Sequence, residues 1–115
     1  MTEQLPEEKQ RGIYEWYYSE LKGKDWQLRK DTCGGVWAIV GDQDILLPPL
    51  YMPDGKESWN FVRECIEKLE QEYVRVMYDT ADHLWYFWFL DNKGAGAVIK
   101  NLDFWFALSE LLEGE

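Results

Sequence analysis

A single histidine, His83, is all the imidazole this 115-residue chain contains. Nucleophilic triads and many general acid–base devices use a histidine, so schemes of that kind would rest on His83 alone. It ends the polar stretch Asp79-Thr80-Ala81-Asp82-His83. An Asp–His pair is the functional reading, and a polar turn residue is the simpler one. Cysteine is scarce as well: Cys33 and Cys65 stand 32 positions apart with no CxxC or HxxxH spacing, so the common zinc patterns are missing. Without an export signal, a disulfide between them is not expected. Asp42-Gln43-Asp44 lacks the remaining ligands of a calcium loop. Gly94-Ala95-Gly96-Ala97 lacks both the Walker lysine and a full dinucleotide fingerprint. No metal, no cofactor and no catalytic residue is therefore expected.

Long apolar runs are absent too. No stretch approaches the ~20 residues of a membrane span, and Met1 to Glu8 has neither the basic nor the apolar region of a signal peptide. A cytoplasmic protein with no membrane partner is expected. Positive charge is the last shortage, with 12 basic residues against 22 acidic ones and a net charge of −10. Residues 1 to 30 balance at six acids and six bases, so the whole excess lies in residues 31 to 115. A field of that sign repels nucleic-acid phosphates and attracts basic protein surfaces. It also keeps an aromatic-rich protein soluble.

Aromatic residues are what the chain has in excess: seven Trp, seven Tyr and five Phe. Five of them stand in one row, in Leu84-Trp85-Tyr86-Phe87-Trp88-Phe89-Leu90. Successive side chains of a strand point to opposite faces, so this run has no polar stripe on either side. It predicts a central strand hidden on both faces, because such a strand at an edge would invite aggregation.

The rest of the chain divides into short elements with no internal repeat. Ile13, Trp16, Tyr17 and Leu21 predict a helix over residues 7–22, which Gly23 would close. Strands are expected at 36–40 and 45–47, joined by Gly41-Asp42-Gln43-Asp44 and stopped by Pro48-Pro49. A second helix is expected over 56–71, with Asp54 or Ser58 as its cap. Tyr73 to Asp79 alternates as a strand and pairs with the aromatic run. A last helix would start near Asn101. The fold class is α+β: one domain over 1–115, with an N-terminal helix and a body over 36–112. Its four strands form one mainly antiparallel sheet in the order α-ββ-α-ββ-α, with helices packed on it.

The segment Leu47-Pro48-Pro49-Leu50-Tyr51-Met52-Pro53-Asp54, followed by Trp59, Val62, Glu64, Lys68 and Leu69, resembles the phage ABA sandwich domain family. The likeness rests on Tyr51, Asp54 and Trp59 at the family's spacing, and it extends over residues 45–112. Pro53 departs from the small hydroxyl residue usual there, and Phe104-Trp105-Phe106 is bulkier than the family's alanine-rich helix. The resemblance implies a helix–sheet–helix sandwich of phage or prophage origin, and it transfers no active site.

Together these readings lead to a non-enzymatic phage accessory protein. Its acidic surface would bind and inhibit a basic host protein, such as the nuclease effector of an antiphage system, as an anti-CRISPR does. Asp42, Asp44, Asp54, Glu57, Glu64, Glu67 and Glu70 are the partner-binding candidates, and no direct nucleic-acid binding is expected. Glu64, Glu67 and Glu70 also read as an ordinary solvated helix face. Two alternatives remain. One is a protein that sequesters a nucleotide signal by aromatic stacking, with Tyr73 and Arg75 at its site. The other is a structural or host-takeover protein. A homodimer that buries aromatic surface fits all three. With the aromatic strand hidden, the acids of residues 42–72 and the remaining rings, such as Trp16, Tyr17 and Trp26, are where function is expected.

Overall fold

The computed structural model describes residues 4–114. Helix α1 spans Glu7–Tyr17. The Pro6 carbonyl accepts from the N–H groups of Lys9 and Gln10, both at 3.0 Å, and Glu7 and Glu8 place negative charge in the first turn, where the helix dipole favours it. The expected helix over 7–22 is thus shorter than its pattern. Consecutive rings at 16, 17 and 18 lie about 100° apart on a helix and cannot all face one core. The backbone turns at Tyr18, whose ring meets that of Tyr17 edge-on at 4.9 Å. A 3-10 turn, Ser19–Leu21, follows, and Gly23 comes after it rather than capping α1.

Two sheets follow, not the expected single four-stranded one. The first is antiparallel in the order β1 (Trp26–Lys30), β2 (Val36–Val40), β3 (Gln43–Leu47). The second is antiparallel in the order β4 (Arg75–Asp79), β5 (Leu84–Leu90), β6 (Gly96–Asn101). Strands β1 and β6 had no strong strand pattern, yet each adds a third strand to a hairpin. The turns that recruit them are built alike. The Asp31 carboxylate accepts from the N–H groups of Cys33 and Gly35. The Asp91 carboxylate accepts from those of Lys93 and Ala95. Gly34 and Gly94 supply the left-handed backbone at φ +88° and +78°, which other residues adopt only with strain.

Helix α2 spans Trp59–Gln71 and α3 spans Phe104–Glu113. Ser58 precedes α2 as its cap residue, with no side-chain hydrogen bond. The cap of α3 is Asp103, not Asn101: its carboxylate accepts from the N–H of Trp105 at 2.7 Å and of Phe106 at 3.3 Å. Asn101 lies one step further out and accepts from the Asp103 N–H at 3.0 Å.

The core is threaded by a file of touching rings. Tyr14 and Tyr17 of α1 contact Phe61 of α2 at 5.9 and 5.1 Å. Phe61 meets Trp105 at 5.4 Å, and Trp105 meets Phe104 at 5.0 Å. Phe104 then meets Trp85 and Phe87 of β5 at 5.0 and 5.3 Å. The file therefore joins all three helices to the second sheet. The first sheet is held from α1, where the Arg11 guanidinium lies 4.8 Å above the Trp26 ring and donates to the Trp26 carbonyl at 2.8 Å. The Tyr14 hydroxyl donates to the Pro48 carbonyl at 2.6 Å.

Strand β5 is central in its sheet, as expected, but only one of its faces is hidden. Trp85 and Phe87 are buried, with Phe89 partly so. On the other face Trp88 is 48 % and Leu90 71 % exposed. A single layer of helices accounts for this, since α3 packs on the inner side.

Trp105 is fully buried, and its indole N–H donates to the Leu50 carbonyl. Trp105→Ala is expected to cost ~3–5 kcal/mol. Trp105→Phe keeps most of the packing but orphans that carbonyl, for ~1–3 kcal/mol. Denaturant midpoints of the two variants against the parent chain check both values.

Candidate functional site

The seven acids expected to bind a partner lie on three separate elements. Asp42 occupies the β2–β3 turn, and Asp44 lies on the outer face of the first sheet, paired with Ile39. Glu64, Glu67 and Glu70 are exposed along α2. The Tyr17 hydroxyl donates to the Glu64 carboxylate at 3.4 Å. Asp54 and Glu57 belong to the loop before α2, and these two line a common cleft.

That loop is a small hairpin. Tyr51 and Glu57 form an isolated antiparallel bridge. The Met52 N–H donates to the Lys56 carbonyl at 2.7 Å and the Gly55 N–H to the Met52 carbonyl at 2.8 Å. Asp54 locks the tip by accepting from the Lys56 N–H at 3.0 Å. The hairpin delivers Glu57 to the start of α3, where Asp103 already sits. The Tyr51 hydroxyl donates to the Asp103 carboxylate and accepts from the Leu5 N–H, each at 3.1 Å. The N-terminal segment, the hairpin and α3 thus meet at one polar knot.

Two carboxyls share that knot, and each disfavours the charge on the other. Glu57 is pushed up to about 7, first by burial and then by the charge on Asp103. Hydrogen bonding from the Phe104 N–H and the Trp85 indole N–H opposes the rise. Asp103 is also raised by burial, against the pull of its hydrogen bonds from Trp105, Phe106 and Tyr51. Burial raises the Tyr51 hydroxyl as well, and the Leu5 N–H opposes it.

The knot forms one wall of an open cleft of about 1090 Å³. Three rings line the cleft with the acids. Trp85 lies 6.4 Å from Trp59 and 4.8 Å from Tyr78, centroid to centroid. Trp59 is 60 % exposed and Tyr78 45 %. Among the lining residues Asp54, Glu57 and Asp103 are acidic and Lys56 alone is basic.

A second surface is the open face of the second sheet. There Arg75, Trp88 and Val98 form one cross-strand row, and Met77, Tyr86 and Lys100 form the next. The Lys100 ammonium lies 5.7 Å above the Tyr86 ring. Tyr73, expected beside Arg75 in a strand, instead follows α2 in a left-handed conformation at φ +64°, with 89 % of it exposed.

The other candidates lie outside that cleft. The Trp16 indole donates to the Glu72 carboxylate at 2.9 Å, Tyr17 packs on Phe61, and Trp26 is buried under Arg11. The His83 ring lies 3.4 Å from the Tyr78 hydroxyl, while the Asp79 carboxylate accepts from the N–H groups of Ala81 and Asp82; of the two readings of His83, the polar turn residue is the one this geometry matches. Cys33 is exposed and Cys65 buried, both as free thiols. Among the described residues no group of three or more His, Cys, Asp or Glu side chains is placed to hold a metal ion, and no helix is long and apolar enough to cross a membrane.

Comparison with protein-family models, with curated proteins and with solved structures finds no match.

Sequence reasoning named Asp54 and Glu57 but missed Trp59, Tyr78, Trp85 and Asp103. A carboxyl whose folded pKa is raised stabilises the fold while protonated. That contribution is complete below the unfolded value of 4.5 and is lost as pH rises toward about 7. Glu57→Gln removes the ionisable group. Urea unfolding at pH 4.5 to 8 is expected to show a falling stability for the parent chain and a flatter profile for the variant.

Proposed function

We propose that the chain is a non-enzymatic acidic binding protein that captures a basic protein partner, with the cleft between the 51–57 hairpin, α3 and β4–β5 as its contact site. The observation that carries this reading is the convergence of Asp54, Glu57 and Asp103 with Trp59, Tyr78 and Trp85 on one accessible concavity. Exposed aromatic rings beside acids match what dominates protein interfaces, where Trp and Tyr anchors supply most of the affinity and charge supplies orientation. Net charge −10 adds long-range attraction for a basic surface.

In its finer form the reading is a phage-encoded inhibitor of an antiphage effector, an anti-CRISPR or similar, acting in the host cytoplasm on a basic nucleic-acid channel. The resemblance of Tyr51, Asp54 and Trp59 to the phage ABA sandwich pattern supports that origin. A second reading, a nucleotide-sequestering protein, is favoured by the placement of Arg75 directly across from Trp88 on the open sheet face. There a base would stack on the ring and the guanidinium would meet a phosphate.

One binding series separates the two. Affinity for a basic nuclease effector should fall with salt. It should drop at least tenfold in the Asp54→Asn/Glu57→Gln double variant and stay unchanged in Trp88→Ala. Heat on titration with nucleotides that disappears in Trp88→Ala would favour the second reading instead.

A further inference from the structure

We propose that the cleft is an aromatic cage for a methylated ammonium group, such as the head of a methylated lysine side chain presented by the partner. The proposal rests on the binding reading above and names the chemistry of the group that enters. Three rings and three carboxyls line the space, with Trp59 and Tyr78 exposed on either side of the largely buried Trp85, and a cation over an aromatic face within about 6 Å is attracted by the ring quadrupole. Trp85 sits between Trp59 and Tyr78, so the three rings form one continuous aromatic lining.

The state of the carboxyls selects the kind of cation. Asp103 already accepts hydrogen bonds from Trp105, Phe106 and Tyr51, and Glu57 lines the same cleft. Asp103 therefore has few free lone pairs left for an entering donor. A guanidinium brings five donors that need acceptors, and a bare ammonium brings three. A fully methylated ammonium brings none, so the site can hold it through charge and ring contact alone. Among the described residues Lys56 is the only basic side chain on the lining, and it leaves the acids in excess.

The cleft is also matched to its ligand through proton linkage. An entering cation favours the ionised form of Glu57, so binding releases a proton near neutral pH and tightens as pH rises. The other charged or titratable groups around the cleft are Asp103 on α3, Tyr51, Asp54 and Lys56 on the hairpin, Tyr78 on β4, and His83 against Tyr78. The His83 ring lies against Tyr78, so His83→Gln serves as a control that should retain the pH dependence.

The test is an NMR titration of the full chain with tetramethylammonium, with choline, and with one short peptide carrying trimethyllysine, lysine or arginine at the same position. The cage predicts upfield shifts of the ligand methyl protons. It also predicts the order trimethyllysine, then lysine, then arginine, and about fivefold or greater weakening in Trp59→Ala and in Glu57→Gln. Trp59 is largely exposed, so its removal should leave the fold intact, and the amide spectrum checks this. Tighter binding of the peptide than of choline assigns the source to a protein side chain; equal binding assigns a free quaternary amine and retains the cage. Absence of binding by every ammonium probe overturns the cage, as does arginine binding as tightly as trimethyllysine. Neither of those results removes salt-sensitive binding of a basic protein. Conversely, a cage that binds tetramethylammonium in a chain that binds no basic protein would overturn only the broader reading.

Discussion

Trp105 is the side chain on which the arrangement depends. Its ring stands between Phe61 of α2 and Phe104, and its indole N–H satisfies the backbone carbonyl of Leu50. It therefore ties α3 to α2 and to the segment that leads into the 51–57 hairpin. A buried carbonyl without a partner is costly, so the hairpin and α3 cannot separate without exposing that acceptor. The aromatic file on either side of Trp105 extends this constraint to α1 and to β5.

The cleft is a consequence of the same anchor. Once α3 is fixed, its first turn presents unpaired N–H groups, and Asp103 takes two of them. The hairpin, fastened at Leu50, carries a second carboxyl to the same helix end. Two acids at one N-terminus exceed what capping requires. Burial, and after it the charge on Asp103, raises the pKa of Glu57, which stands beside exposed rings. Structural capping and ligand binding are thus joined in a single cluster.

The helices, the four strongest strands and the central place of the aromatic strand were legible from periodicity. What was missed has identifiable causes. Strand β1 carries only Trp26 and Leu28 toward the core, and β6 has just Val98 and Ile99 between Gly-Ala and Lys-Asn, so neither stands out by composition. The signal that would have revealed them is in the turns: Asp31-Thr32-Cys33-Gly34-Gly35 and Asp91-Asn92-Lys93-Gly94-Ala95 share an aspartate and a left-handed glycine at the same spacing. Read as hairpins, they demand strands on both sides. The aromatic run reads as hidden on both faces because neither face is polar, but hydrophobic residues do remain exposed in folded proteins. The acids of the candidate site are legible as charge, yet their grouping is not, because Asp103 meets the hairpin through long-range contacts, Trp105 to Leu50 and Tyr51 to Asp103.

The account stands on Glu57 and Asp103 sharing the start of α3 inside the cleft, and a carboxyl-detected NMR titration of Glu57 tests that most directly. The predicted result is an inflection near 7 that moves to lower pH when a quaternary ammonium is added. An inflection at the ordinary glutamate value, unmoved by the cation, would contradict it.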